Sequence, residues 1–262
     1  MSNSNTSNTS TPRKPATSAA PDLVCIVQTL QFTWFVGHVV TLVSLAFFLS
    51  YVGMFRNACA FWYKAALFGV VESFGVLVYQ TISKKGVSVT QLPRDDNVQY
   101  LVLAVVLFVY SPYVALTLCT FVLFSTFHVF SYLKHYLLPA LGVSESNAVC
   151  VRMGEFIAAN NNSSIVLASV LEVYTTVWML LRVLTFRKGS LVPFLAYAVF
   201  LKLRFEKSQF TRNAVKSVEL KVDDVVNMSC QPALKDNWVK VKGVFHRIGA
   251  ISLTGESRQK AT

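Results

Sequence analysis

Apolar residues in this chain gather in long runs, separated by short polar connections. FTWFVGHVVTLVSLAFFLSY covers Phe32 to Tyr51, and His38 is its only ionisable member. Twenty residues at 1.5 Å each reach about 30 Å, the thickness of a bilayer's hydrocarbon core. A second run follows the short link VGMFRNACA and covers Phe61 to Ile82. Lys64 sits close enough to its end to snorkel, while Glu72 lies near its middle. These two runs predict an antiparallel helical hairpin. After the polar loop SKKGVSVTQLPRDDN comes an uncharged stretch from Val98 to Leu133. It is too long for one simple span, and Pro112 removes a backbone donor inside it. Either it is one span with an interfacial extension, or it is a short hairpin turning at Tyr110–Tyr113. The last strong run, Ser163 to Phe186, contains Glu172 and ends near Arg182. RKGS breaks it. Leu191 to Phe205 is then apolar until Lys202, short for a span and suited to a re-entrant or interfacial segment.

The pattern changes at both ends of the chain. Residues 1–21 begin with only Ser, Asn and Thr after the first Met, a composition that cannot form a core and reads as a disordered head. Asn5 and Asn8 there, and Asn161 and Asn162 further on, stand in glycosylation sequons. Residues 22–205 form the expected transmembrane helical domain, and 206–262 a basic tail. Within the tail, on a helix at 100° per residue, Leu234, Trp238, Val241, Phe245 and Ile248 share one face. Lys240 and Arg247 fall opposite, with Lys235, Lys242 and His246 on one flank. This pattern fits a helix lying on a membrane surface, with anionic lipids meeting its basic residues, or on a partner; a helix packed on its own protein is the competing reading. Gly243 costs such a helix about 1 kcal/mol relative to Ala. A second amphipathic pattern precedes it: Phe210, Ala214, Val215, Val218, Val222, Val225 and Val226. Its polar side is of mixed charge, so partner packing suits it as well as lipid.

Composition agrees with the runs. Of 262 residues, 53% are hydrophobic and 14% charged, and mean hydropathy is +0.49. Soluble domains carry roughly 25% charged residues. The expected fold is therefore all-α and membrane-embedded, with about four transmembrane helices or helical hairpins and amphipathic helices at the carboxyl end. Net charge is +11, and residues 187–262, with 14 Lys/Arg against 6 Asp/Glu, hold +8 of it. A basic tail on an apolar body points to anionic headgroups or an acidic protein. No motif supports nucleic acid as a partner. With four spans and the amino end in the cytosol, 19 Lys/Arg are cytosolic and four (Arg56, Lys64, Lys134, Arg152) lumenal, while Arg182 stays in its helix. Both termini are then cytosolic.

Little in the sequence suggests bond chemistry. Cys25, Cys59, Cys119, Cys150 and Cys230 stand alone, without CxxC or a His pair at metal spacing. Cys25 is either an acylation site or an ordinary interfacial residue. Glu72 and Glu172 are costly in hydrocarbon. They act as helix glue, face each other across two spans, or relay protons in a small transporter. His128 and His135, without carboxylate neighbours, read as interface residues. There is no nucleophile elbow, HExxH or phosphate-binding loop. The expectation is a non-enzymatic protein without cofactor or metal.

Two stretches carry a resemblance. FVLFSTFHVFSYLKHYLLP, with Ser125, His128 and Tyr132 on successive turns, is similar to the third hydrophobic region of the transmembrane protein 33 family. GSLVPFLAYAVFLKLRFEKSQFTRN, with Gly189, Pro193, Phe194, Leu203, Arg204, Phe205 and Arg212, resembles the segment after that family's last span. The order of apolar runs agrees over roughly residues 22 to 230, and the head and tail look like the fungal branch. The resemblance implies a protein of the endoplasmic reticulum and nuclear envelope, at nuclear pores. It implies tubule shaping with reticulon-type proteins, and a part in pore assembly or distribution beside nucleoporins. A basic tail that recruits a soluble nuclear transport receptor is the competing expectation.

Overall fold

The computed structural model describes residues 23–85, 92–229 and 231–253. The expected head and its sequons, and Cys230, lie outside them. Among the described residues the chain is helical throughout, without strands. A short α1 (Leu23–Val27) leads into α2 (Leu30–Tyr51) and α3 (Arg56–Lys85). Then come α4 (Asp96–Tyr110), α5 (Leu116–Tyr132) and, through a π-helical turn at Leu133–Leu137, α6 (Leu138–Ala140). The long α7 (Ala148–Leu184), α8 (Leu191–Lys207), α9 (Gln209–Met228) and α10 (Pro232–Ala250) complete it. Four helices are long and apolar enough to cross a membrane: Leu30–Tyr51, Arg56–Ser83, Leu116–Ala140 and Ala148–Leu184.

Local chemistry sets the boundaries. Thr29, Asp95 and Asn147 cap α2, α4 and α7, each accepting a backbone N–H of the first turn. Ser208 serves two helices. Its N–H donates to Arg204 O to close α8, and its hydroxyl accepts from Thr211 N to open α9. The α2–α3 hairpin forms as the pattern predicts, and the reason it packs tightly is two glycines. A Cβ on Gly69 would lie 2.5 Å from Gly37 O, and one on Gly37 2.7 Å from Gly69 O. The backbones therefore touch, as small residues allow in membranes. Thr41 Oγ1 donates to Gly37 O at 2.9 Å, and Ser73 Oγ to Gly69 O at 2.9 Å.

The uncharged stretch from Val98 to Leu133 is not one continuous helix: it breaks into α4, a shorter apolar helix, and α5, part of the candidate span Leu116–Ala140. Ser111 and Tyr113 flank Pro112 with φ of 40° and 51°, a conformation no helix continues through. The N–H of Ser111 closes α4 on Leu107 O. Tyr100 on α4 meets Phe121 and Phe124 on α5, so the two run antiparallel. The chain also turns back after α7, where Phe186 and Gly189 have φ of 52° and 71°. Arg182 Nε donates to Ser190 Oγ across that turn at 3.2 Å. α8 is thus a returning helix beside α7, while α7 itself starts 15 residues ahead of its apolar run because Asn147 caps it and Phe156 packs on Phe127 and Phe130.

Two additional reversals accompany the four candidate spans. Connections 52–55, 111–115 and 185–190 gather at one end of the bundle. There Tyr63 bonds Thr117 Oγ1 (2.7 Å) and Tyr197 bonds Thr117 O (3.3 Å). The α5–α7 connection lies at the other end, beside the start of α2, where Tyr132 stacks on Phe35. Lys134, Arg152, Asn161 and Asn162, expected across the membrane from the tail, therefore lie at the tail's end of the bundle. Parity is kept because two breaks were added rather than one. The core between these ends is aromatic: Tyr63, Phe74, Tyr100, Phe121, Tyr197 and Phe200 are all buried.

Candidate functional site

Two places carry polar or amphipathic chemistry: the tail helices and a charge cluster inside the bundle. α9 turns Thr211, Ala214 and Val226 inward and packs along α7. Part of its apolar stripe is thus covered by its own chain, while Phe210 and Val225 stay exposed. α10 folds back against α9. Lys242 Nζ (2.7 Å) and Trp238 Nε1 (2.6 Å) both donate to Asp223 Oδ1, and His246 Nε2 lies 3.6 Å from Glu219 Oε1. Its far end reaches α8, where Lys202 Nζ donates to Gly249 O and Leu253 N to Glu206 Oε1.

These contacts use one flank of α10. The apolar face stays outside: Leu234, Val241, Phe245 and Ile248 are 41%, 42%, 57% and 47% exposed. Lys240 and Arg247 are also exposed, on the flank away from Asp223. Trp238 and Lys242 differ from the other residues proposed for a surface contact, because they are the hinge side of the tail hairpin. The Asp223 carboxyl is held below the usual aspartate range, chiefly by the hydrogen bonds from Lys242 and Trp238.

The charge cluster is built around Glu172, 1% exposed, on α7. Tyr100 Oη donates to Glu172 Oε1. Arg204 Nε lies 3.6 Å from Glu172 Oε2, and its Nη1 bonds Asp96 Oδ2 at 3.2 Å. Lys207 Nζ reaches Asp96 Oδ1 at 2.9 Å. One cluster therefore joins the start of α4, the middle of α7 and the end of α8. Sequence reasoning singled out Glu172 but not its partners. Asp96 sat in a polar loop and Arg204 at the end of an interfacial segment, and no local signal tied either to Glu172. Glu72 lies elsewhere, at the α2–α3 crossing, where its Oε2 would be 2.5 Å from a Cβ on Gly37. The two glutamates occupy different interfaces.

A second polar pair joins α2 to α5. His38 Nδ1 is 2.9 Å from Ser125 Oγ, and its ring lies 4.8 Å from that of His128, beside Trp34. His135 instead bonds the preceding turn, at Ser131 O. Among the described residues no three His, Cys, Asp or Glu side chains converge as metal ligands. Cys25 is exposed, Cys59 and Cys119 are partly buried, and Cys150 is buried.

The sequence pattern of the family described as Transmembrane protein 33/Nucleoporin POM33 matches residues 14–249. The chain belongs to this family. It is 29% identical over 255 residues to Tetra-spanning protein 1 of Schizosaccharomyces pombe, covering 90% of this chain and 91% of that one. It is 27% identical to the Pore membrane protein of 33 kDa of Saccharomyces cerevisiae, over 97% of each chain. It is 29% identical to Nucleoporin POM33 of Chaetomium thermophilum, over 87% of this chain and 88% of the relative. No solved structure matches it.

Proposed function

We propose that this chain is a non-enzymatic membrane protein of the endoplasmic reticulum and nuclear envelope that supports curved membrane at nuclear pores. Two family relatives are named for the pore, and together they support the pore association. The observation that carries the mechanism is the exposed apolar face of α10, held beside a bundle of membrane-spanning helices. Burying a Leu, Ile, Val or Phe side chain is worth ~1.5–3 kcal/mol. Half-burying four of them in a leaflet gives a few kcal/mol. Lys240 and Arg247 add about 1 kcal/mol each near anionic lipid. That suffices for reversible contact by a helix already tethered to the bilayer, and shallow insertion into one leaflet favours curvature.

Orientation follows from charge. With the tail's end of the bundle in the cytosol, the opposite end and its adjoining turns hold Arg56, Lys64, Arg182, Arg187 and Lys188, five of 24 Lys/Arg. The other 19 are cytosolic, which agrees with the positive-inside bias. Both termini are then cytosolic.

The test is a Val241→Glu, Phe245→Glu double variant, which spares the Trp238 contact with Asp223. It is expected to lose flotation of segment 208–253 with small anionic vesicles, and to lose enrichment of the full chain at pores. Unchanged flotation and localisation sink the mechanism. A second reading uses the basic flank alone: Lys240 and Arg247 recruit a soluble acidic partner such as a nuclear transport receptor. Lys240→Gln, Arg247→Gln would then abolish partner capture while vesicle binding at high salt persists. The reticulon-type partners implied by the resemblance belong to the same proposal.

A further inference from the structure

Beneath the tail, where α4 begins and α8 ends, the bundle has a cleft of about 460 Å³. Its polar end holds Asp96, Arg204 and Lys207, and its wall is Phe124, Ile165 and Ala168. Gln209 and Phe210 close it from above. These two are the first residues of α9, so their N–H groups have no acceptor within the helix and face an end with positive character. Arg204 is 9% exposed, with its Nε 3.6 Å from the buried Glu172 Oε2 and its Nη1 on Asp96. Lys207 is half exposed, with its Nζ already on Asp96 and on Arg94 O.

The cleft's height matters. Ser163 and Ser164 end the polar Asn run of α7, and Ile165 opens its apolar run. Asp96 and Lys207 likewise mark where α4 and α8 stop being apolar. The cleft therefore straddles the boundary between headgroups and hydrocarbon, with its polar end outward. Its volume suits a headgroup and glycerol backbone but not two acyl chains. The chains would leave along Phe124, Ile165 and Ala168 into the bilayer.

Charge selects the headgroup. Arg204 and Lys207 face Asp96 and Glu172, so the cleft is close to neutral overall. A net anion would meet the Asp96 carboxylate there, with Glu172 buried behind Arg204. A zwitterion fits both signs: its phosphate meets Lys207 and the α9 N–H groups, and its ammonium meets Asp96, whose side chain keeps 40% exposure. A primary ammonium donates up to three hydrogen bonds to that carboxylate, whereas a quaternary one donates none. We propose that this cleft binds the headgroup of a zwitterionic, net-neutral glycerophospholipid bearing a primary amine, of the phosphatidylethanolamine class. The site is separate from the α10 face and does not depend on it.

The experiment is lipid analysis of the full chain, purified in detergent from bilayers of equal phosphatidylethanolamine, phosphatidylcholine and phosphatidylserine. Wild type is expected to retain phosphatidylethanolamine several-fold over the other two. Ile165→Trp, which fills the cleft, should return all three to their bulk ratio. Asp96→Asn should keep phospholipid but erase the preference for ethanolamine over choline. Lys207→Gln should weaken retention, and Lys207→Arg should restore it. Equal melting temperatures of Ile165→Trp and wild type establish that lost retention is not lost folding. If Asp96→Asn unfolds, the Lys207 pair and Ile165→Trp still decide. Three outcomes overturn the proposal: no enrichment, enrichment of phosphatidylserine instead, or enrichment that Ile165→Trp leaves intact. Displacement of bound lipid by excess soluble glycerophosphoethanolamine would support recognition through the headgroup.

Discussion

Arg204 is the residue on which the interior depends most. It lies between Glu172 and Asp96 at the end of a helix whose first half is wholly apolar. Taking charges out of water is costly, and removing one partner of a buried pair typically destabilises by ~3–5 kcal/mol. Arg204→Ala should therefore lower the melting temperature in detergent sharply. Glu172→Gln should cost less, since the amide still accepts from Tyr100. Pairing Arg204→Met with Glu172→Leu should recover much of the loss, because the uncompensated charge is gone. If Arg204→Ala alone left melting unchanged, the cluster would not be holding the helices. Phe245 is the opposite case. It is 57% exposed, so Phe245→Glu should change melting by no more than ~0.5 kcal/mol while weakening vesicle binding of the tail.

At the scale of helices, two contacts are decisive. The α2–α3 crossing needs glycine at both contact points. Gly69→Leu would put atoms into the backbone of Gly37, and overpacking of this kind costs ~1–3 kcal/mol or more. Protease resistance of the α2–α3 pair in membranes should fall, with α9 and α10 unaffected. The α9–α10 contact depends on pH through Asp223. Its folded pKa is depressed by Lys242 and Trp238. The ionised carboxylate thus favours the paired helices above the ordinary aspartate value of 3.8, and that contribution fades as pH falls through the lower folded value. Amide-exchange protection of α10 should hold from neutral pH down to that range and then drop. Asp223→Asn should remove the step.

On the scale of the whole molecule, the short helices set the shape. α4 has 15 residues, about 22 Å at 1.5 Å each, while α2 has 22, about 33 Å. The flank formed by α4 and α8 is thinner than the flank formed by α2 and α3. A bilayer meeting both must thin on one side, a modest cost per ångström of mismatch. This asymmetry adds to the effect proposed for α10. The sidedness of the two added reversals is open to a direct check. A glycosylation acceptor inserted at 187–189 should be modified, and one at 141–147 should not. The reverse result would restore the lumenal position first expected for the loop after α5.

Hydrophobic runs alone determined that this chain is helical and membrane-embedded, because twenty apolar residues without charge have no other low-energy state in lipid. They determined the α2–α3 hairpin, since nine linking residues leave two spans no choice but to return. The amphipathic spacing in the tail was equally local, and α10 forms where Leu234 to Ile248 predicted it. What covers each face was not local. That α9 packs part of its stripe on α7 while α10 keeps its own outside depends on Asp223 meeting Trp238 and Lys242 across a turn. Residues 98–133 allowed a span or a hairpin until Ser111 and Tyr113 took left-handed backbone angles supported by their surroundings. Glu172 announced that something must compensate it, but only tertiary structure could say that Arg204, Tyr100 and Asp96 do so. Helix periodicity is written into neighbouring residues, whereas the pairing of charges 32 and 108 positions apart along the chain depends on how whole helices pack.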